Sequence, residues 1–204
     1  MGIAAGLLSS ARRHRNVSGS ALARSASSSQ AGLVDLENGN SDATTDRLDR
    51  VLACLGYQVT VLPTRLGTAA AAAEDVRWFL RAENFDAAFR AVWQLADDLG
   101  RADVALRVAL CVTPPAPAGD PRFDALIAGI VEYLLSREGL PLPTWLSEDS
   151  RRLGEPWDVE PVPSLQASAR SRTPAALVRH GVFLDPGELD RPNYSGIGSF
   201  SGST

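Results

Sequence analysis

The sequence predicts a mostly α-helical protein in two parts: an N-terminal domain of four to five short helices with a short β-strand, followed by an α-helical C-terminal domain. Three observations predict it. Apolar residues recur at three- and four-residue spacing in run after run, as they do on helices with one buried face. Those runs are bounded by Ser, Thr, Asn or Asp at the front and often by Gly behind, the residues that start and stop helices. The β-branched stretches that read as strands, residues 57–62 and 182–184, are short.

Ile3, Leu7, Leu8 and Ala11 place a first helix over residues 3–15, with Arg12, Arg13 and Arg15 at its C-terminal end. The stretch SGSALARSASSSQAGLVDLEN then reads as two short helices joined by a serine-rich turn. Residues 18–26 form the first, with Leu22 and Ala26 facing inward. Residues 27–28 turn, and Ser29 caps the second, which exposes Gln30 and Ala31 and turns Leu33 and Leu36 to the core. Gly39 stops it, and Asp42 or Thr44 caps a fourth helix carrying Leu48, Val51, Leu52 and Leu55 and ended by Gly56. The alternating run YQVTVL at residues 57–62 reads as a strand halted by Pro63. A lone strand needs a partner, supplied by a second copy of the chain or by the C-terminal half.

Residues 64–68 read as a linker between a first domain, 1–63, and a second, 69–192. An Ala-rich helix covers 70–82, with Val76, Phe79 and Leu80 on one face. Asn84 caps a helix striped by Phe85, Phe89, Val92, Ala96 and Leu99 and closed by Gly100. A third follows over 102–111; Pro114, Pro115, Pro117 and Pro121 then force an extended loop. Phe123, Leu126, Ile127, Ile130, Leu134 and Leu135 mark a fourth, ending at Gly139. Trp145 and Trp157 are expected to lock Pro-rich connections onto this bundle. Ser164 and Pro174 begin two last helices, the second ending at His180-Gly181, and Asp185-Pro186 cap a final turn. Residues 193–204, NYSGIGSFSGST, carry no charge and are dominated by Gly and Ser, so they are expected to be disordered when free.

Two helices around a tight turn, the second presenting small polar residues at its start, suit a DNA major groove. Ser18, Leu22-Ala23, the spacing to Ser29-Gln30, and Leu36-Glu37-Asn38-Gly39 resemble the phage-repressor, or xenobiotic-response-element, helix-turn-helix family. The resemblance spans about residues 3–62. It implies a DNA-binding transcriptional regulator, dimeric, of the antitoxin type. Such a protein binds its own operator as double-stranded DNA and neutralises a cognate toxin, here through the C-terminal half. Four positions depart from the family pattern: Gly19, Ser27, Gly32 and Asp35. They motivate a second reading, a protein-binding module whose helix-turn-helix no longer binds DNA.

Ser29, Gln30, Gly32 and Asp35 are the candidates for reading bases, Gln30 foremost, because its amide can bond adenine bidentately. Arg12, Arg13, Arg15 and Arg24, with Asn38 and Ser41, are the candidates for phosphate contacts. Tyr194, Ile197 and Phe200 recur every three residues in the tail, a pattern suited to a partner's groove.

Charge agrees with that polarity. The net charge is −4, yet residues 1–34 hold four arginines and no acid. All 20 basic residues are Arg, a bias that speaks of coding composition more than of substrate. Cys54 and Cys111 lie in apolar surroundings without close-spaced partners and read as buried thiols of a reducing compartment. The N-terminus puts its apolar run before its basic run, the reverse of a secretory signal, and no apolar stretch reaches membrane-spanning length, so a cytoplasmic location is expected. His14 and His180 have no metal-spaced partner, and no nucleophile elbow, phosphate loop or dinucleotide fingerprint is present. The chain reads as no enzyme, with no metal and no cofactor. A small-ligand sensor is a further class, for which the linear sequence displays no converging polar cluster.

Overall fold

Short polar side chains set where most helices begin. Ser18, Ser29, Thr44, Thr68, Asn84, Asp103 and Asp120 each accept a hydrogen bond from a first-turn backbone N–H, satisfying a donor that has no partner inside the helix. The computed structural model describes residues 3–189 and is mostly α-helical. Its N-terminal helices are α1 (Ile3–His14), α2 (Gly19–Ser25), α3 (Gln30–Glu37) and α4 (Thr45–Ala53). Then come α5 (Ala69–Arg81), α6 (Phe85–Arg101), α7 (Val104–Cys111), α8 (Pro121–Ser136), α9 (Pro163–Arg172) and α10 (Ala175–Arg179). Among the described residues no helix is long and apolar enough to cross a membrane.

The buried apolar side chains fall into two clusters. Leu8, Leu22, Leu33, Leu36, Val51 and Leu52 join α1 to α4. The larger cluster surrounds α8, where Leu126, Ile127, Ile130 and Val131 meet Val92 and Leu99 of α6 and Leu177 of α10. Helix α1 packs on α3 and α4 and also on α5, so it touches both parts. Close packing of α8 on α10 depends on Gly129, where an added Cβ would lie 2.7 Å from Leu177 Cδ2 and 3.4 Å from Leu177 Cα.

Trp145 is buried and donates its indole N–H to the Cys111 carbonyl at 2.9 Å, fixing the Pro-rich connection after α8 as expected. Trp157 packs beside Phe89 and Phe123. It also opens β1 (Trp157–Asp158), which pairs in parallel with β2 (Val182–Phe183), Trp157 opposite Val182 and Asp158 opposite Phe183. The second of these strands was expected from Val182-Phe183; its partner was not.

Several expectations need correction. Residues 57–62 form no strand, because among the described residues nothing runs alongside them to supply a ladder. Instead the Tyr57 N–H closes the end of α4 on the Leu52 carbonyl, the Val59 N–H donates to Asp49 Oδ1 at 2.9 Å, and Val61 is 89% exposed. Gly56, at φ +77°, supplies the left-handed residue that this helix end requires. Gly100 does not close α6, which runs on to Arg101, and Phe85 lies exposed at its start. Cys54 is exposed: it caps the C-terminal end of α4, turned away from the stripe of Leu48, Val51, Leu52 and Leu55. The segment 64–68 is pinned to the second part, with Leu66 against its core and the Gly67 N–H donating to Asp98 Oδ2 at 2.7 Å. Tyr194, Ile197 and Phe200 lie outside the described residues.

Candidate functional site

Helices α2 and α3 are separated by a short turn in which Ser27 takes φ +50° and the Ser28 N–H donates to the Ala23 carbonyl. Leu22 and Ala23 of α2 and Leu33 and Leu36 of α3 are buried, which locks the pair against α1 and α4. Ser29 accepts the Gly32 N–H at 3.1 Å, so its hydroxyl oxygen is partly committed to the cap. Gln30, Ala31, Val34, Asp35 and Asn38 are exposed and line the outward side of α3. Gly32 does not belong to that side. A Cβ there would meet Ser29 Oγ at 2.9 Å and Arg47 Nη2 at 3.2 Å, and Arg47 donates to the Gly32 carbonyl. Val34 and Arg47 were not among the sequence candidates. Val34 stands one turn after Gln30 and offers an apolar contact of the kind a thymine methyl accepts.

The arginines do not gather into one patch. Arg12 is half-buried and clasps Glu37 of α3 through two hydrogen bonds, Nε to Oε1 at 2.5 Å and Nη2 to Oε2 at 2.7 Å, while Nη1 donates to the Val17 carbonyl. That hydrogen bonding holds the Arg12 guanidinium above its ordinary value, against the opposing effect of burial. Arg13, the next residue along α1, lines a cleft facing Pro115, Pro117 and Glu148 of the C-terminal half. Arg15 lies over the Tyr57 ring at 5.4 Å. Helical geometry alone sets Arg13 and Arg15 about 160° apart around α1. Arg24 is exposed in the last turn of α2, Asn38 is exposed at the end of α3, and the Ser41 hydroxyl is buried without a hydrogen-bond partner. His14, between Arg13 and Arg15, pairs through Nδ1 with Glu148 Oε1 at 2.8 Å.

No family model, curated protein or solved structure matches this chain.

A second polar assembly lies in the C-terminal half, where sequence reasoning saw only a helix-terminal histidine. His180 does cap α10, yet it is 1% exposed. Its Nδ1 lies 2.7 Å from the Arg151 carbonyl oxygen and its Nε2 lies 2.6 Å from Glu132 Oε2. A carbonyl only accepts, which assigns a proton to Nδ1; the Nε2 to Oε2 line then needs a shared proton, since two bare acceptors would repel. The other Glu132 oxygen accepts from Nε of Arg179 at 2.7 Å and from its Nη2.

Arg151, also buried, donates to the Pro115 carbonyl, sits 3.4 Å from Asp124 Oδ1 and lies over the Trp145 ring at 5.3 Å. Asp124 accepts the Ala118 N–H at 2.9 Å, and burial pushes its carboxyl up from the ordinary 3.8. These groups tie α8, α10 and the Pro-rich connections together. The legible signal was a carboxylate, Glu132, set within the apolar run AGIVEYLL. Among the described residues no three His, Cys, Asp or Glu side chains converge as metal ligands.

Proposed function

We propose that the chain is a DNA-binding transcriptional regulator whose α2–turn–α3 unit is a helix-turn-helix. The observation that carries this reading is the exposed start of α3, where Ser29 and Gln30 project from a helix held rigidly by Leu33, Leu36 and the Arg12–Glu37 clasp. Gln30 would read a base edge, and Arg24, Asn38 and the N-terminal end of α3 would meet phosphates. Arg12 then acts as a scaffold of the reading helix. A regulator of this kind acts on a two-fold operator as a homodimer. The family resemblance extends the proposal to an antitoxin whose residues 69–192 neutralise a cognate toxin.

The second reading, a protein-binding module that has lost DNA, draws on the dispersal of Arg12, Arg13 and Arg15 and on Asp35 lying on the outward side of α3. Binding of the full chain to its own upstream DNA, measured across a salt series, separates the two. A DNA binder shows log affinity falling with log salt by about 0.9 per phosphate contact. Gln30→Ala should cost about 1–3 kcal/mol at one base position while Glu83→Ala, far from α3 in sequence, leaves binding unchanged. No retardation at low salt, or a flat salt response, favours the protein-binding module. Co-elution with the protein encoded beside it tests the antitoxin assignment.

A further inference from the structure

Between α1 and the C-terminal half lies a cleft of about 320 Å³. Three segments distant in sequence build it: Arg13, His14 and Asn16 at the end of α1, Pro115 and Pro117 after α7, and Glu148, Ser150 and Arg151. The prolines stiffen one wall, and the Ser10 hydroxyl on α1 donates to the Pro114 carbonyl, joining the two sides.

Donors dominate the cleft. Arg13 is exposed there, with no acidic partner among the described residues. Arg151 is 5% exposed, and its Nε has no hydrogen-bond partner. Asp124 faces Nη1 of the same guanidinium at 3.4 Å, and facing that Nε is Glu148, whose Oε2 stands 3.5 Å away while its Oε1 holds His14. Glu148 is thus an internal anion that covers Arg151 without satisfying it. A buried guanidinium N–H left unbonded is costly, and an incoming oxyanion would complete it.

We propose that this cleft binds a small phosphomonoester, whose oxygens displace the Glu148 carboxylate from Arg151 and reach Arg13 on the opposite wall. Two arginines on facing walls suit a dianion with three acceptor oxygens better than a single carboxylate. The site lies away from the exposed start of α3, so the inference stands whether or not α3 contacts DNA.

Calorimetric titration of the full chain with phenyl phosphate at constant ionic strength, without DNA, tests this. Binding with a Kd of about 1 mM or tighter is expected. Arg13→Ala should weaken it by about tenfold, and Glu148→Gln, which removes the competing charge but keeps the shape, should tighten it severalfold. Arg81→Ala, at the end of α5, should change nothing. Circular dichroism verifies that each variant is folded. No binding at this concentration, affinities unmoved by both Arg13→Ala and Glu148→Gln, or acetate binding as well as phenyl phosphate would each overturn the proposal.

Discussion

Truncating Glu132 to alanine should be among the most damaging single changes in the C-terminal half. Its two oxygens serve two different partners, and burial decides how each responds. The Arg179 side chain is 52% exposed, so water replaces its lost acceptor and this part of the loss is at most ~1 kcal/mol. His180 is 1% exposed and has no water to turn to. Leaving the buried His180 Nε2 without its partner and opening a cavity where the side chain stood places Glu132→Ala in the range of about 3–5 kcal/mol.

Glu132→Gln separates charge from shape. A neutral His180 keeps its Nδ1 proton on the Arg151 carbonyl and accepts at Nε2, where a glutamine amide can donate. This variant should lose only about 1 kcal/mol. Urea unfolding followed by tryptophan fluorescence, with circular dichroism confirming a single transition, reads both values. In thermal melts the alanine variant should fall by roughly 6–20 °C, using about 2–4 °C per kcal/mol for a chain of this length. Equal losses for the two variants, or an alanine loss under ~1 kcal/mol, would refute the shared-proton pair.

Other perturbations test the remaining structure. Gly129→Ala sets a Cβ 2.7 Å from Leu177 Cδ2, so the buried Leu177 side chain must shift; a loss of about 1–3 kcal/mol is expected in the same unfolding assay. The two thiols should react very differently with a disulfide reagent. Cys54 is exposed and should react in the native protein, whereas Cys111 is buried, its thiol pushed up to about 12 by burial, and should react only on unfolding. Asp124 binds its proton more tightly folded than unfolded, because burial raises its carboxyl. The native state therefore holds more protons, and this group's contribution to stability falls as pH rises through the window between the ordinary 3.8 and the raised folded value. Asp124→Asn should remove that slope, seen as a stability difference from wild type that shifts in the variant's favour as pH climbs above the ordinary value. Arg12→Met should weaken the N-terminal helices by about 1–3 kcal/mol, through loss of the clasp on Glu37.

The helices were largely legible in the sequence because their causes are local. Ser18, Ser29, Thr44 and Asn84 cap within three residues of their partners, and the apolar stripes of α4, α6 and α8 are written at helical spacing. The start of α3 was legible for the same reason: Gln30 follows its cap directly and is exposed as expected. Where reasoning failed, the deciding partner was remote. Residues 57–62 have the composition of a strand but no neighbour to pair with among the described residues, while the two residues of β1 found theirs 25 positions later at Val182 and Phe183.

Charge shows the same division. The sequence by itself determined that Arg12, Arg13 and Arg15 lie on one helix and that this end of the chain is cationic. Only the tertiary structure decided that Arg12 grips Glu37, that Arg13 faces a cleft, and that His14 reaches Glu148 across the chain. It also drew Glu132, Arg151 and His180 into one buried assembly. A helix start costs one nearby hydrogen bond, whereas the fate of a charged side chain depends on which group packing brings within about 3 Å of it, and a linear chain does not encode that distance locally.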